Sequence, residues 1–298
     1  MAYTIEKGEG IKEIAKELKN QRLIKNSLFF KLYVLVSGKS SKLQAGTYSL
    51  SSSMSIADIV KKIAAGDVIK NYITLIEGWS IKDIIKYLEA KEIASEKEFL
   101  EAVAEDWSQE YDFLKDKPKG LDLEGYVFPD TYQVGQGQTS EEILKTILSH
   151  FDKKLVPELR AEILKQKKSI FQIITMASMI EKEVQTPEDK KMVSGILWKR
   201  ITEGMPLQVD ATVNYITGKH DKGVQIKDTV IDSPYNTYKY YGLPKGPISN
   251  PGMDSIQAAI YPQKSVYWYY LSATKTGETI FSKTLEEHNL AISKYLKP

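Results

Sequence analysis

The 298-residue sequence contains no cysteine. That excludes disulfide frameworks, thiolate metal sites and cysteine nucleophiles. Histidine is nearly as scarce, and His150, His220 and His288 show no spacing that suggests a metal site. Neither charge sign dominates: 41 basic residues stand against 39 acidic ones, a formal net charge of +2. A dedicated nucleic-acid surface is therefore not expected. No run reaches the roughly 18–20 apolar residues of a membrane-spanning helix. LFFKLYVLV is too short, and Lys31 interrupts it. There is no signal-peptide pattern at the start. GxSxG, P-loop, GxGxxG and HExxH motifs are absent as well. Neither a cofactor nor a metal is implied.

What is present begins with length, enough for two or three modules and at least one sizeable core. The 18 tyrosines and 4 tryptophans suit a carbohydrate or peptide cleft, and suit a core equally. An internal repeat stands out: TIEKGEGIKEIAKEL at 4–18, TLIEGWSIKDIIKYL at 74–88, and a shorter echo, SIADIVKKI, at 55–63. In each copy an extended piece or turn leads into a small amphipathic helix. Gly10, Ser55 and Ser80 stand at the N-cap positions. Strands are expected at 44–49 and 71–76. Such β-plus-helix units resemble LysM-like modules, which bind N-acetylglucosamine polymers; they also serve as plain packing subdomains. The charged KDKPKG stretch marks a boundary, dividing 1–117 from 118–298.

The second part opens with LEGYVFPDTYQV, then an amphipathic helix over 139–155. Ser169 caps an almost wholly apolar helix, FQIITMASMIEKEV, a pattern that marks a helix packed in a core. Glu181 is its first acidic residue. A carboxyl held against apolar walls has a raised pKa and can act as a general acid; a polar residue simply ending the helix is the plainer reading. Glu183, two positions on, points to another side and is expected to be solvated or salt-bridged. Thr186 caps a further helix with Pro187 in its first position. The four-proline segment 233–252 is an irregular loop of a length that is usually functional. VYWYYLSA and TIFS flank TKTGE as a hairpin, and TLEEHNLAISKYL closes the chain as a helix. Glu124, Asp130 and Asp210 are further acidic candidates, but none is a convincing partner for Glu181.

LEGYVFPDTY, ASMIEKEV, GILWKRITEGMPLQVDATVNY, SPYNTYKYYGLPKGPISNPG and the terminal hairpin with its helix occur in this order. Together they resemble the endolytic murein transglycosylase family, the YceG-like lyases, over nearly the whole chain. The resemblance implies an α+β fold, with LysM-like modules followed by a mixed catalytic domain whose buried helix bears the catalytic glutamate. The family's A-S-x-x-E-K-E pattern puts that residue at Glu181. It implies cleavage between N-acetylmuramic acid and N-acetylglucosamine in nascent peptidoglycan, leaving 1,6-anhydro ends and terminating strand growth. Tyr126 and Phe128 would stack on sugar faces. Gln208, Asp210, Thr212 and Asn214 would bond hydroxyl or N-acetyl groups, and Tyr235, Asn236 and Tyr238 would wall the substrate. The family also implies the extracytoplasmic face of the bacterial membrane, an N-terminal anchor that this chain lacks, and peptidoglycan synthases as partners. Two alternatives stand beside this: a non-catalytic peptidoglycan-binding protein acting through its repeats, and a muramidase-type hydrolase.

Overall fold

The computed structural model describes residues 1–135, 137–219 and 224–296. They form two compact units: Met1–Ile73 with Thr131–Thr139, and Thr74–Asp130 with Ser140 onward. The division thus falls near residue 73, well before the boundary expected at 117, and the first unit takes a second segment from further along the chain. Charged composition marked the 115–120 loop, but pairing of strands decides which unit a segment joins.

In the first unit, β1 (Ala2–Ile5), α1 (Ile11–Asn20), α2 (Ser27–Val36) and β2 (Gly46–Ser49) follow one another. β1 and β2 pair antiparallel with Tyr3 opposite Tyr48. Both rings are buried, so the alternating faces of this small sheet put one side into the core. Ile14, Leu18, Phe30 and Val34 meet them from α1 and α2, and Ile59, Val60 and Ile63 from α3 (Ile56–Ala64). Ser55 and Asp58 form a reciprocal capping box that starts α3. β3 (Lys70–Thr74) and β4 (Thr131–Gly135) make a second two-stranded sheet.

Between those two strands in the chain lie α4 (Ile81–Ala90) and α5 (Glu96–Ala104), each started by a capping box, Ser80 with Asp83 and Ser95 with Glu98. Strand, helix, helix, strand therefore occurs twice, and the repeat seen in the sequence marks the opening half of each copy. The rest of the second unit is mainly helical: α6 (Ser140–Lys154), α7 (Pro157–Lys165), α8 (Ile170–Glu183), α9 (Pro187–Thr202), α10 (Asp210–Thr217) and α11 (Met253–Ile260). Every residue of α8 from Ile173 to Ile180 is buried, as its apolar sequence predicts. α11 packs on both α8 and α9. The hairpin of β5 (Tyr269–Ser272) and β6 (Thr279–Ser282) is antiparallel and carries α12 (Leu285–Tyr295) against it. Mixed helices with small antiparallel pairs make the class α+β.

A carboxylate cluster at the end of helix α8

α8 delivers Glu181 to its last turn, and the loop 248–252 comes to meet it. Ser178 fixes that approach, since its hydroxyl accepts from the Ile248 N–H at 3.0 Å and donates to the Thr175 carbonyl at 2.8 Å. The Ser249 hydroxyl returns a bond to the Ser178 carbonyl at 3.0 Å. Loop residue Asn250 ties three segments together. Its side chain donates to the Trp79 carbonyl at 3.0 Å and to Glu124 at 2.9 Å, and accepts from the Val127 N–H at 2.9 Å. These bonds satisfy polar groups that would otherwise be buried at a cost.

Three donors converge on Glu181. Lys190 Nζ lies 3.0 Å from Oε1; the Gly252 N–H and the Ser255 hydroxyl donate to Oε2 at 2.9 and 2.7 Å. Gly252 is the N-cap of α11, so the carboxylate sits at the positive end of that helix. The ion pair is nearly out of water, with side-chain exposures of 4% for Lys190 and 8% for Glu181. The expectation of apolar walls is thus corrected: α8 is apolar along its length, but its terminal carboxylate faces a cation and two hydrogen-bond donors supplied by α9 and α11.

A second carboxyl stands beside it. The Glu77 side chain lies against Gly252, where an added Cβ would collide with it. Burial pushes Glu77 above the usual carboxylate range, the charges of Glu181 and Asp254 add to this, and Lys190 opposes it. The Gly78 backbone passes over the Glu181 side chain, and Lys182 donates to the Gly78 carbonyl at 3.2 Å. The sequence held this residue in plain view in IEGWS, but as part of a repeat, and 104 residues separate Glu77 from Glu181.

Two more acids of the second unit are enclosed. Glu124 accepts from the Ile81 N–H at 3.1 Å, capping α4, and burial raises it to about 8. Glu183 keeps some surface in solvent, yet its carboxyl takes bonds from the Tyr270 hydroxyl and the Ala211 N–H. Burial, with Asp210 adding to it, pushes Glu183 to about 7 against the pull of Arg200. The sequence suggested a solvated or salt-bridged residue; instead hydrogen bonds from β5 and α10 hold it.

The expected sugar contacts are scattered. Tyr126 and Phe128 are buried in an aromatic core with Phe113 and Phe151, so neither ring offers a face to a glycan. Thr212 is fully buried and bonds the Val209 carbonyl and Thr237. Asn236 is also buried; it holds the Thr229 and Ile231 carbonyls and the Tyr238 N–H. These four are structural. Asp210 accepts from the Tyr238 hydroxyl, next to Glu183. Tyr235 is half-buried against Tyr215, with ring centres 5.1 Å apart. Asn214 is half-buried, and Gln208 is exposed at a positive φ of 51°. Asp130 pairs with His150 at 2.7 Å, and His288 stacks on Tyr269 at 5.2 Å. His220 lies outside the described residues. A depression of about 720 Å³ sits at the opposite end of α8, lined by Lys167, Lys168, Phe171 and Leu243. It is remote from the carboxylates along that helix and is shallow. Among the described residues no cluster could hold a metal ion.

Fold and site together define an α+β protein of two units whose buried helix ends at Glu181, with the Glu77 carboxyl from another segment beside it. A YceG-like family model matches residues 3–294, and the chain belongs to that family. It is 38% identical to the endolytic murein transglycosylase of Bacillus subtilis, over 98% of this chain and 84% of that protein. The endolytic murein transglycosylase of Streptococcus pneumoniae is 30% identical over 98% of this chain, which spans only 58% of that longer relative. A crystal structure of a YceG-like protein from Listeria monocytogenes superposes with a TM-score of 0.68 at 36% identity, covering 97% of this chain and 98% of that one.

Proposed function

We propose that this chain is an endolytic murein transglycosylase, a lyase that cuts peptidoglycan strands between N-acetylmuramic acid and N-acetylglucosamine. The relatives' names support the activity. The observation that carries it to a residue is the convergence of Lys190, Gly252 and Ser255 on Glu181. The reaction asks one carboxyl to give its proton to the bridging oxygen. It then takes a proton from the muramoyl C6 hydroxyl, which attacks C1 and closes the 1,6-anhydro ring. Between these steps the side chain carries the charge that the ammonium and the α11 N-terminus stabilise. The nucleophile belongs to the substrate, so no water has to be recruited.

Glu77 favours a second reading. Two neighbouring carboxyl groups are what a muramidase-type hydrolase uses, and Glu77 supplies the partner that the sequence did not reveal. Asp210, Tyr238, Gln208, Asn214 and Tyr235 remain proposed glycan contacts, through side chains that keep some exposed surface. The strand–helix–helix–strand copies support LysM-like modules. Murein as substrate supports a site of action outside the cell membrane, with the synthases that extend new strands as proposed partners. Among the described residues no helix is long and apolar enough to cross a membrane.

Digests of purified glycan strands, read by mass spectrometry, test this. The protein should release 1,6-anhydro ends, and Glu181→Gln should release none. Reducing ends from the unmodified protein would make it a hydrolase. Anhydro ends persisting in Glu181→Gln would remove that residue from the chemistry. Because Glu181→Gln strands the buried Lys190 charge, at a cost of roughly 3–5 kcal/mol, circular dichroism must accompany the assay, with Glu181→Gln/Lys190→Met as the neutral pair.

A further inference from the structure

α2 carries the largest run of exposed apolar side chains on any one element. Phe30 and Val34 point into the first unit's core. On the helical wheel the arc opposite them runs Leu35, Leu28, Leu32, Val36, Phe29, with no polar residue between. Leu28 is 54% exposed, Phe29 61%, Leu35 60% and Val36 88%. Asn26 caps the helix by accepting from the Leu28 N–H at 2.8 Å, and Gly38 ends it at a φ of 65°. The stripe is therefore a well-formed helical face about 15 Å long, where a soluble surface would carry charge.

The charges on its own stretch of chain have one sign. Between Glu17 and Asp58 the chain has no acidic residue and six basic ones: Lys19, Arg22, Lys25, Lys31, Lys39 and Lys42. Lys31 borders the stripe on the wheel beside Leu35. Lys25 precedes the cap, and Lys39 and Lys42 follow the C-terminus. The helices packed on α2 are α1 and α3. They bring Glu13, Glu17 and Asp58, of which Asp58 is tied into its own capping box.

We infer that α2 docks in the plane of an anionic lipid surface, its Leu28–Val36 stripe entering the headgroup boundary and its flanking lysines pairing with lipid phosphates. Three occupants compete for an exposed apolar stripe. A second copy would bring two cationic segments together and repel. A glycan strand has no apolar surface of this size. A bilayer takes a convex helix without needing a complementary groove, and each basic residue near it adds about 1 kcal/mol of attraction. The inference does not rest on catalysis, and it holds whatever cuts the substrate.

The absence of native cysteine makes the test direct. Val36→Cys carries an environment-sensitive fluorophore, and Glu92→Cys, exposed on the second unit, carries it as control. Vesicles of equal parts phosphatidylglycerol and phosphatidylcholine should shift the Val36→Cys emission to the blue and leave the control unmoved. They should also carry the unlabelled protein in a flotation gradient. Pure phosphatidylcholine should bind at least tenfold more weakly, and added salt should weaken binding to the mixed vesicles. Phe29→Ser/Leu35→Ser touches only exposed positions and should lose vesicle binding by tenfold or more, with an unchanged circular dichroism spectrum. No flotation with the mixed vesicles overturns the inference. So does binding that survives the double substitution, or sedimentation showing a dimer that the same substitution dissolves.

Discussion

Four acidic side chains in the second unit, Glu77, Glu124, Glu181 and Glu183, are each settled by a different neighbour. Glu124 offers the cleanest test, because it caps α4 and bonds Asn250 away from solvent. Its carboxyl rises from the usual 4.5 to about 8 in the folded protein. Over that interval the folded state holds a proton that the unfolded chain has released, so stability falls as pH rises. Glu183, raised to about 7, acts in the same direction. Denaturant midpoints measured from pH 5 to pH 8 should therefore decline for the parent protein. Glu124→Gln should flatten that decline, and an equally steep slope in the variant would assign it elsewhere. Gly252→Ala probes the neighbouring contact. The backbone tolerates alanine there, at a φ of −74°, but the Cβ would displace the Glu77 carboxyl. Activity should fall with the melting temperature nearly unchanged, if Glu77 takes part. Full activity would make Glu77 a bystander.

Helices were the legible part of this molecule. Ser55, Ser80, Ser169 and Thr186 all cap where their sequences place them, because capping needs only residues three apart. The apolar run into Glu181 likewise predicts a buried α8. What surrounds the carboxylate was not legible, because Lys190 on α9, Gly252 and Ser255 at the start of α11, and Glu77 before α4 stand far apart in the chain and only packing unites them. Tyr126 and Phe128 misled for a related reason: an aromatic cluster in a motif reads alike whether it faces a sugar or Phe151. α9 shows how packing overrules local preference. Gly195 lies in mid-helix, where alanine would gain about 1 kcal/mol of propensity. A Cβ there would meet the Gln263 backbone carbonyl, and backbone yields less readily than the end of a side chain. Overpacking costs roughly 1–3 kcal/mol, so Gly195→Ala should lower the melting temperature by calorimetry. A rise would mean that the 261–263 segment moves freely.

Across the whole molecule, the first unit is not one stretch of chain. Residues 131–139 return to it after the second unit has begun, and β4 supplies the partner of β3. A fragment ending at Lys117 would keep β1 and β2 but lose β4. Hydrogen exchange in such a fragment should be fast over residues 70–74 and slow over 2–5 and 46–49. Equal protection of both strand sets would show that β3 needs no partner. The same return strand sets a clock on synthesis. β3 leaves the ribosome with an open edge, and its mate follows only after the whole stretch bearing Glu77 and Glu124. At ~5–20 residues per second that wait lasts roughly 3 to 12 seconds. For that interval an unpaired edge stands ready to join any passing strand, so the nascent chain is open to misassembly for as long as the stretch between β3 and β4 is being made.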